Sequence, residues 1–335
     1  MSLPSHHHPG GGFRNPWPGD DGERGARELL RWKLWDRLRR PWSATPSPST
    51  FRQEFPAATP SHPARVVSPH VAVTWVGHSS FLVQLDGVNL LTDPMWSDRA
   101  SPIPFAGPRR WAPPGLSFDA LPPIDAVLLS HNHYDHLDSR TVRRLVRRYP
   151  NTAWFVPLGV GPFVSARGGK RVTQLDWWEE ASLGPMRMAC APARHFSART
   201  FRDRGATLWC SWSILGPSRR IYFGGDSAYH PDYARIGERH GPFDLALLPV
   251  GAYDPRWFMS AVHMNAEEGV QAYLDLCAPH ESAGRTAMVP MHWGTFKLTD
   301  EPMDEPPRRA RAAWDAAALS SSAFWQLAHG ETRRV

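Results

Sequence analysis

From Val71 onward the chain alternates short apolar runs with polar punctuation. VAVTWVG, FLVQL, VNLLTD and DAVLLS are each about one strand long and end at Gly, Asp or a polar turn, which predicts four strands before residue 131. AWFVP, ATLWCSWSIL, RRIYFGGD, DLALLPV and TAMVPMHW repeat the type further on. Between them the period lengthens, and SRTVRRLVRRY, YHPDYARIGERH and NAEEGVQAYLDLC carry helical spacing or helix-start signals. In the first of these, Val142, Leu145 and Val146 form an apolar stripe opposite Arg140, Arg143, Arg144, Arg147 and Arg148, which predicts a helix with a solvated basic face. A hairpin-like beginning, followed by strands and helices in alternation after residue 125, favours an α/β sandwich over a purely doubly wound sheet.

The first 69 residues have another texture. Eleven of the 34 prolines fall within the first 70 residues, and GGFRNPWP and RPWSATPSPST read as irregular, partly polyproline segments. Residues 1–69 are therefore expected to form an extension to a larger unit, residues 70–335. Between the prolines, ERGARELLRWKLWDRLRR predicts a short basic helix with Leu30, Leu34 and Leu38 stacked at i, i+4 spacing. Two readings of it stand: contact with an anionic membrane through Trp32, Trp35 and the arginines, or a helix docked on its own domain. The basic residues encircle it, which favours docking. His6 to His8 read as a disordered tract or the remnant of an appended tag.

Composition narrows the classes. With 41% hydrophobic and 21% charged residues, wholesale disorder is excluded. No run approaches the ~20 apolar residues of a membrane span, and no apolar core near Met1 would serve as a secretory signal, so a cytoplasmic protein is expected. Cys190, Cys210 and Cys277 are far apart and lack CxxC spacing, which argues for buried thiols over a disulfide scaffold or a zinc ribbon. The net charge of +6 favours anionic partners without choosing among a phospholipid surface, nucleic acid and a phosphate-bearing substrate. Sixteen histidines and sixteen tryptophans turn attention to metals and to interfaces with one wet side.

The sharpest chemical signal is HNHYDHLD, His131 to Asp138, directly after an apolar strand. A strand ending in a loop places side chains at a sheet edge, where α/β folds bind ligands. His131 and His133 can point one way from extended backbone, while Asp135 and His136 turn toward a second point. So many ligand types in six residues exceed what a core or a solvated loop needs, and they suit a cation. Three further residues stand at predicted strand ends: His195 in PARHFSART, Asp226 in YFGGDSAY and His292 in VPMHWGT. Together these residues can fill two nitrogen- and oxygen-rich spheres suited to zinc, with iron or manganese as alternatives.

HxHxDH followed by distant His, Asp and His resembles the metallo-β-lactamase superfamily, whose fold is an αββα sandwich with a dinuclear site. FRNPWP, TWVGHSS, LLTDPMWSDRASP, LPPIDAVLLSHNHYDHLD, LDWWEE, CSWSILGP, GPFDLALLPVGAYDPRWFM and MHWGTF further resemble the N-acylphosphatidylethanolamine-hydrolysing phospholipase D family. The resemblance implies one zinc on His131, His133 and His195 and another on Asp135, His136 and His292, with Asp226 bridging them. It implies that Asp93 in LLTDP orients a ligand histidine, and that Tyr134 and His263 lie near the substrate phosphate. A strand-end turn for Asp93, a structural Tyr134 and a His263 that merely precedes the Asn265 helix cap are the alternatives. His78 has a supporting or turn role at most. Val262 departs from the family pattern, standing where a glutamine is expected near the acyl passage.

The expected activity is thus a zinc phosphodiesterase that cleaves N-acylphosphatidylethanolamine-like lipids to phosphatidic acid and an N-acylethanolamine at an anionic membrane surface, peripherally bound. The resemblance favours a homodimer. No GxSxG elbow or Cys/His arrangement supports a protein nucleophile, and no RNA-recognition module supports nucleic acid. A lactone or soluble-phosphodiester hydrolase of the same fold is the nearest alternative. A metal-binding, membrane-docking module without turnover is the alternative of another class.

Overall fold

The computed structural model describes residues 4–17, 26–36, 45–200 and 202–335. Strands β1 (Val71–Gly77), β2 (Ser80–Leu85) and β3 (Val88–Thr92) form an antiparallel meander, and β4 (Ala126–Leu128), β5 (Ala153–Pro157) and β6 (Arg171–Leu175) extend it in parallel. The period-2 alternation decides which residues face which layer. Val73, Trp75, Phe81, Val83, Leu90, Leu128 and Phe155 point into the core between two sheets. Their neighbours Val76, Leu82, Leu91, Val127 and Trp154 face the other way, under the helix α3 (Ser139–Arg148), which lays Val142 and Leu145 on them. Both faces of this sheet are therefore covered, which is why its parallel strands read as continuous apolar runs.

The second sheet runs antiparallel from β7 (Glu180–Leu183) through β8 (Met186–Ala191) and β9 (Ser211–Leu215) to β10 (Arg220–Phe223), then parallel through β11 (Leu245–Pro249) to β12 (Ala287–Met291). Helices α5 (Asp232–His240), α7 (Ala266–Cys277) and α8 (Glu305–Ala316) pack with it, the short α4 (Gly161–Ser165) and α6 (Arg256–Met259) lie in connections, and the short β13 (Thr332–Arg334) closes the first sheet beside β1. The result is the αββα sandwich expected from the sequence. Helix α7 opens on a reciprocal cap: Asn265 accepts from the Glu268 N–H while the Glu268 carboxylate accepts from the Asn265 N–H.

Several elements were not legible. β6 and β7 carry polar residues at edges, β8 begins as MRM, and α8 starts EPPRR, which reads as a loop although proline is tolerated in a first helical turn. Only Ser211–Leu215 of ATLWCSWSIL is a strand. The proline-rich extension also holds a helix, α2 (Pro48–Glu54), capped by Ser47, whose Phe51 is fully buried in the main core.

The basic helix exists as α1 (Ala26–Leu30), continued by a π-helical turn, Arg31–Asp36. It is docked on the domain. Trp32 is buried against Met259, Ala261 and Val262, and its indole N–H donates to Asp300 at 2.6 Å. Trp32 is therefore unavailable to a membrane, whereas Leu29, Leu30 and Leu34 are exposed. Arg24, Arg37, Leu38, Arg39, Arg40 and the Trp35 side chain lie outside the described residues.

The histidine tract is neither disordered nor detached. His6 and His7 both donate to Asp176, at 2.6 and 2.7 Å, and the His6 ring stacks on Trp177. The strap continues through Phe13, whose N–H donates to the Gly205 carbonyl. Asn15 donates to the His195 carbonyl at 3.0 Å, and Trp17 stacks on His230 and donates to Asp232.

Candidate metal centre

All seven ligand candidates meet at one end of the sandwich, beyond the C-terminal ends of β4, β8, β10 and β12. His131, His133 and His195 form one group and Asp135, His136 and His292, joined by His78, form another. In the first, the Nε2 atoms of His131 and His195 lie 2.8 and 3.1 Å from His133 Nδ1. Asp226 stands between the groups. Its Oδ2 is 3.0 Å from the Nε2 atoms of both His136 and His292, and 3.8 and 3.9 Å from those of His195 and His131. Gly225 makes this approach feasible: its φ of +57° and a would-be Cβ 2.6 Å from Ser130 Cβ leave room for no other residue.

The atoms behind the ligands set their tautomers. His136 Nδ1 donates to Asp93 Oδ2 at 2.7 Å, and His195 Nδ1 donates to the Val262 carbonyl at 2.8 Å. Asp93 also accepts from the Ser130 N–H and hydroxyl, and the same hydroxyl accepts from His131 Nδ1 at 2.8 Å. One buried carboxylate thus orients a ligand of each group, His136 directly and His131 through Ser130, leaving both Nε2 atoms turned to the centre. His78 Nε2 donates to Asp135 Oδ2 at 2.9 Å and so holds this candidate carboxylate in place. Three of these supports and ligands, His78, Asp93 and His292, sit at positive φ of 57°, 33° and 64°. Asp93 thus both turns the chain and orients a histidine.

The donor set fits metal ions on a direct test. His136 Nε2, His292 Nε2 and Asp226 Oδ1 are buried and have no hydrogen-bond partner among the described residues, although His136 and His292 each lie 3.0 Å from Asp226. Orphaned buried polar atoms converging on one point are costly without a cation. Electrostatics divides the ligands. Burial, with neighbouring imidazoles, pulls His131 well below the ordinary histidine range and His133 down to about 3, and burial pulls His195 to about 4, so these rings are neutral and free to bind. Burial alone would lower His136 and His292 too, but Asp226 and Asp135 outweigh it, raising His292 to about 9 and His136 well above its usual range. Burial would raise Asp226, yet His136 and His292 hold it well below the carboxylate range.

His263 lies beside the centre, buried, with Nε2 4.0 Å from Asp226 Oδ2 and its Nδ1 unpartnered. Asn265, two residues on, is the helix cap. Tyr134 lies outside both ligand groups: its hydroxyl donates to the Arg199 carbonyl at 2.9 Å and the Arg199 guanidinium stacks over its ring. Sequence reasoning missed Ser130, Asn15 and the Val262 carbonyl. A serine beside a ligand histidine is a weak signal, and the other two become visible only in three dimensions.

A family model, the β-lactamase superfamily domain, matches residues 88–293. The chain belongs to this superfamily and is a metal-dependent hydrolase with the metallo-β-lactamase fold. Among its relatives it closely resembles N-acyl-phosphatidylethanolamine-hydrolyzing phospholipase D 1 of Caenorhabditis elegans, 38% identical over 77% of this chain and 74% of that protein. It is 45% identical to the uncharacterized protein Rv0906 of Mycobacterium tuberculosis over 86% of this chain and 74% of that one. Among solved structures, Igni18, a metallo hydrolase from Ignicoccus hospitalis, aligns with a TM-score of 0.59 at 23% identity, covering 79% of this chain and 98% of its own.

Proposed function

We propose that the protein is a phosphodiesterase of phospholipase D type that hydrolyses N-acylphosphatidylethanolamine-like lipids to phosphatidic acid and an N-acylethanolamine. The observation that carries the metal chemistry is the convergence of orphaned His136 and His292 nitrogens on Asp226. The likeness to the Caenorhabditis elegans enzyme over 77% of the chain supports the choice of bond. His131, His133 and His195 would hold one zinc ion, Asp135, His136 and His292 the other, and Asp226 both. Bound there, a pair of divalent cations supplies an acidified water and positive charge against the phosphoryl oxygens.

The chain's own residues do the rest. Asp93, Ser130 and the Val262 carbonyl fix the imidazoles before substrate arrives, so little reorganisation accompanies the reaction. His263, buried and held well below the ordinary histidine range chiefly by burial, is neutral and faces the place of the substrate phosphate. Tyr134 braces the adjoining loop through Arg199. The apolar cluster of Trp32, Phe258 and Val262, next to His195, suits an acyl chain near the centre. No helix among the described residues is long and apolar enough to cross a membrane. Lipid would therefore be met peripherally, with the exposed Leu29, Leu30 and Leu34 on the approaching side. In the same reading residues 1–69 extend a catalytic unit of residues 70–335, and two copies form a dimer.

Turnover in ¹⁸O-labelled water tests the reading. Label in phosphatidic acid and none in the ethanolamide supports attack on phosphorus. Label in a released carboxylate would instead assign the protein to acyl or lactone hydrolysis.

A further inference from the structure

Next to the metal motif, on its outer side, lies a cavity of about 370 Å³ walled by Tyr134, the start of α3, the Ser97–Pro104 loop and residues near Phe163 and Arg199. Five guanidiniums line it: Arg99, Arg140, Arg143, Arg167 and Arg199. Its two carboxylates do not balance them. Asp98 pairs with Arg109, and Asp138 is occupied by the backbone N–H groups of Ser97 and Arg140 and the Thr141 hydroxyl.

Three of the guanidiniums are held in place, Arg99 by donating to the Gly107 carbonyl at 2.6 Å. Arg199 donates to the Asn132 and Leu137 carbonyls, Arg167 donates to the Ser139 hydroxyl and the Phe163 carbonyl, and both stack over the Phe163 ring. Arg140 and Arg143 have no side-chain partner among the described residues. Burial, reinforced by the neighbouring Arg143 and Arg199, pulls the Arg167 pKa down, the signature of like charges crowded together. An α-helix N-terminus at the same wall adds further positive potential. The solvated basic face read from the sequence is thus, at its N-terminal end, part of a concave site.

The rim has a second character. Ile103 is 41% exposed and Phe105, two residues on, is 78% exposed at the tip of the loop. An exposed aromatic on the loop that walls a set of arginines suits a bilayer's cross-section, with anionic phosphate beneath the surface plane and hydrocarbon beyond it.

We propose that this arginine cavity is a second, non-catalytic anion site that holds the phosphate of an anionic phospholipid while Ile103 and Phe105 enter the apolar edge of the bilayer. Charge complementarity selects a phosphate group, and the apolar rim selects a lipid surface over a free phosphate ester. Tyr134, placed between the ligands His133 and Asp135, lines the cavity, so a lipid held there sits beside the metal centre. The inference rests on the phospholipase reading only for its choice of a lipid. Its test reads binding without turnover, so the two ideas fail separately.

The experiment is co-sedimentation of the full chain with phosphatidylcholine vesicles, with and without phosphatidic acid, which has no phosphodiester bond to cleave. A basic side chain near an anionic surface contributes roughly fivefold to binding, so Arg140→Ala with Arg143→Ala should weaken binding to the phosphatidic acid vesicles roughly thirtyfold and leave neutral vesicles little affected. Phe105→Ser should weaken both. Glycerol 3-phosphate should displace the anionic vesicles more effectively than chloride at equal ionic strength. The proposal is overturned if Arg171→Ala with Arg285→Ala, exposed arginines elsewhere, costs as much, since net charge alone would then explain binding. It is overturned equally by unchanged binding in the Arg140/Arg143 variant, or by tight glycerol 3-phosphate binding with no vesicle binding.

Discussion

Asp93 is the residue whose replacement discriminates most sharply among accounts of the metal centre. Its carboxylate takes hydrogen bonds from His136 Nδ1, the Ser130 N–H and the Ser130 hydroxyl, and the last of these links it to His131. Asp93→Asn keeps the size and tolerates the residue's φ of +33°, so backbone strain does not confound the result. What changes is one oxygen: an amide nitrogen accepts no hydrogen bond, so either Oδ2, shared by His136 Nδ1 and the Ser130 hydroxyl, or Oδ1, taken by the Ser130 N–H, is lost as an acceptor. Losing a partner of this kind costs about 10- to 100-fold in metal affinity, or about 1.4–2.8 kcal/mol at 1.4 kcal/mol per decade. Because the carboxylate reaches one ligand in each group, both sites should weaken. Ser130→Ala cuts only the branch to His131 and should weaken one site. Stepwise chelator competition, with metal content read by mass spectrometry, resolves the two affinities, and circular dichroism confirms the fold. Equal weakening of both sites in Ser130→Ala, or wild-type affinity in Asp93→Asn, would refute the branched orientation.

Other outcomes follow from the same geometry. Asp226→Asn should lower occupancy at both sites and abolish hydrolysis with the fold largely kept, because this carboxylate faces four ligand nitrogens; full activity in a single-metal preparation would contradict it. With the pKa of His292 raised to about 9 and that of His136 higher than usual, both rings carry protons near neutrality unless a cation displaces them. Metal affinity should therefore fall as pH falls below about 9, with proton release on binding. Calorimetry in buffers of different ionisation enthalpy measures it, and pH-independent binding between pH 6 and 8 would rule it out. Leu30→Ser with Leu34→Ser, at exposed positions, should change stability by no more than about 0.5 kcal/mol each while reducing vesicle binding, read by thermal unfolding and flotation.

Much of the centre was readable because its densest part is local. His131 to His136 lie within six residues, and strand ends pointed to His195, Asp226 and His292. The short apolar runs likewise marked β1 to β5 as strands. Features assembled from distant segments were not readable. The arginine cavity joins residues near 99, 140, 167 and 199, and each arginine alone reads as solvated surface. Trp32 was ambiguous because a helix with charge on every side offers no preferred face, and only its partners Asp300 and Val262 decide the matter. His6 and His7 were misread because three adjacent histidines resemble an appendage; their partner Asp176 lies about 170 residues away.

The N-terminal strap also bears on how the molecule is made. Residues 4–17 are synthesised before their partners Asp176 and Asp232, which follow 170 and 215 residues later, on the order of ten seconds or more at ordinary elongation rates. Until then Asn15 has no His195 carbonyl to brace. This strap therefore waits for its partners, and the loop bearing His195 gains its brace only once both segments have been made. Ribosome-stalled chains ending before residue 176 should expose residues 4–17 to protease, and the full 335-residue chain should protect them. Metal loading would then report on synthesis past residue 292, since a chain released before that point lacks His292.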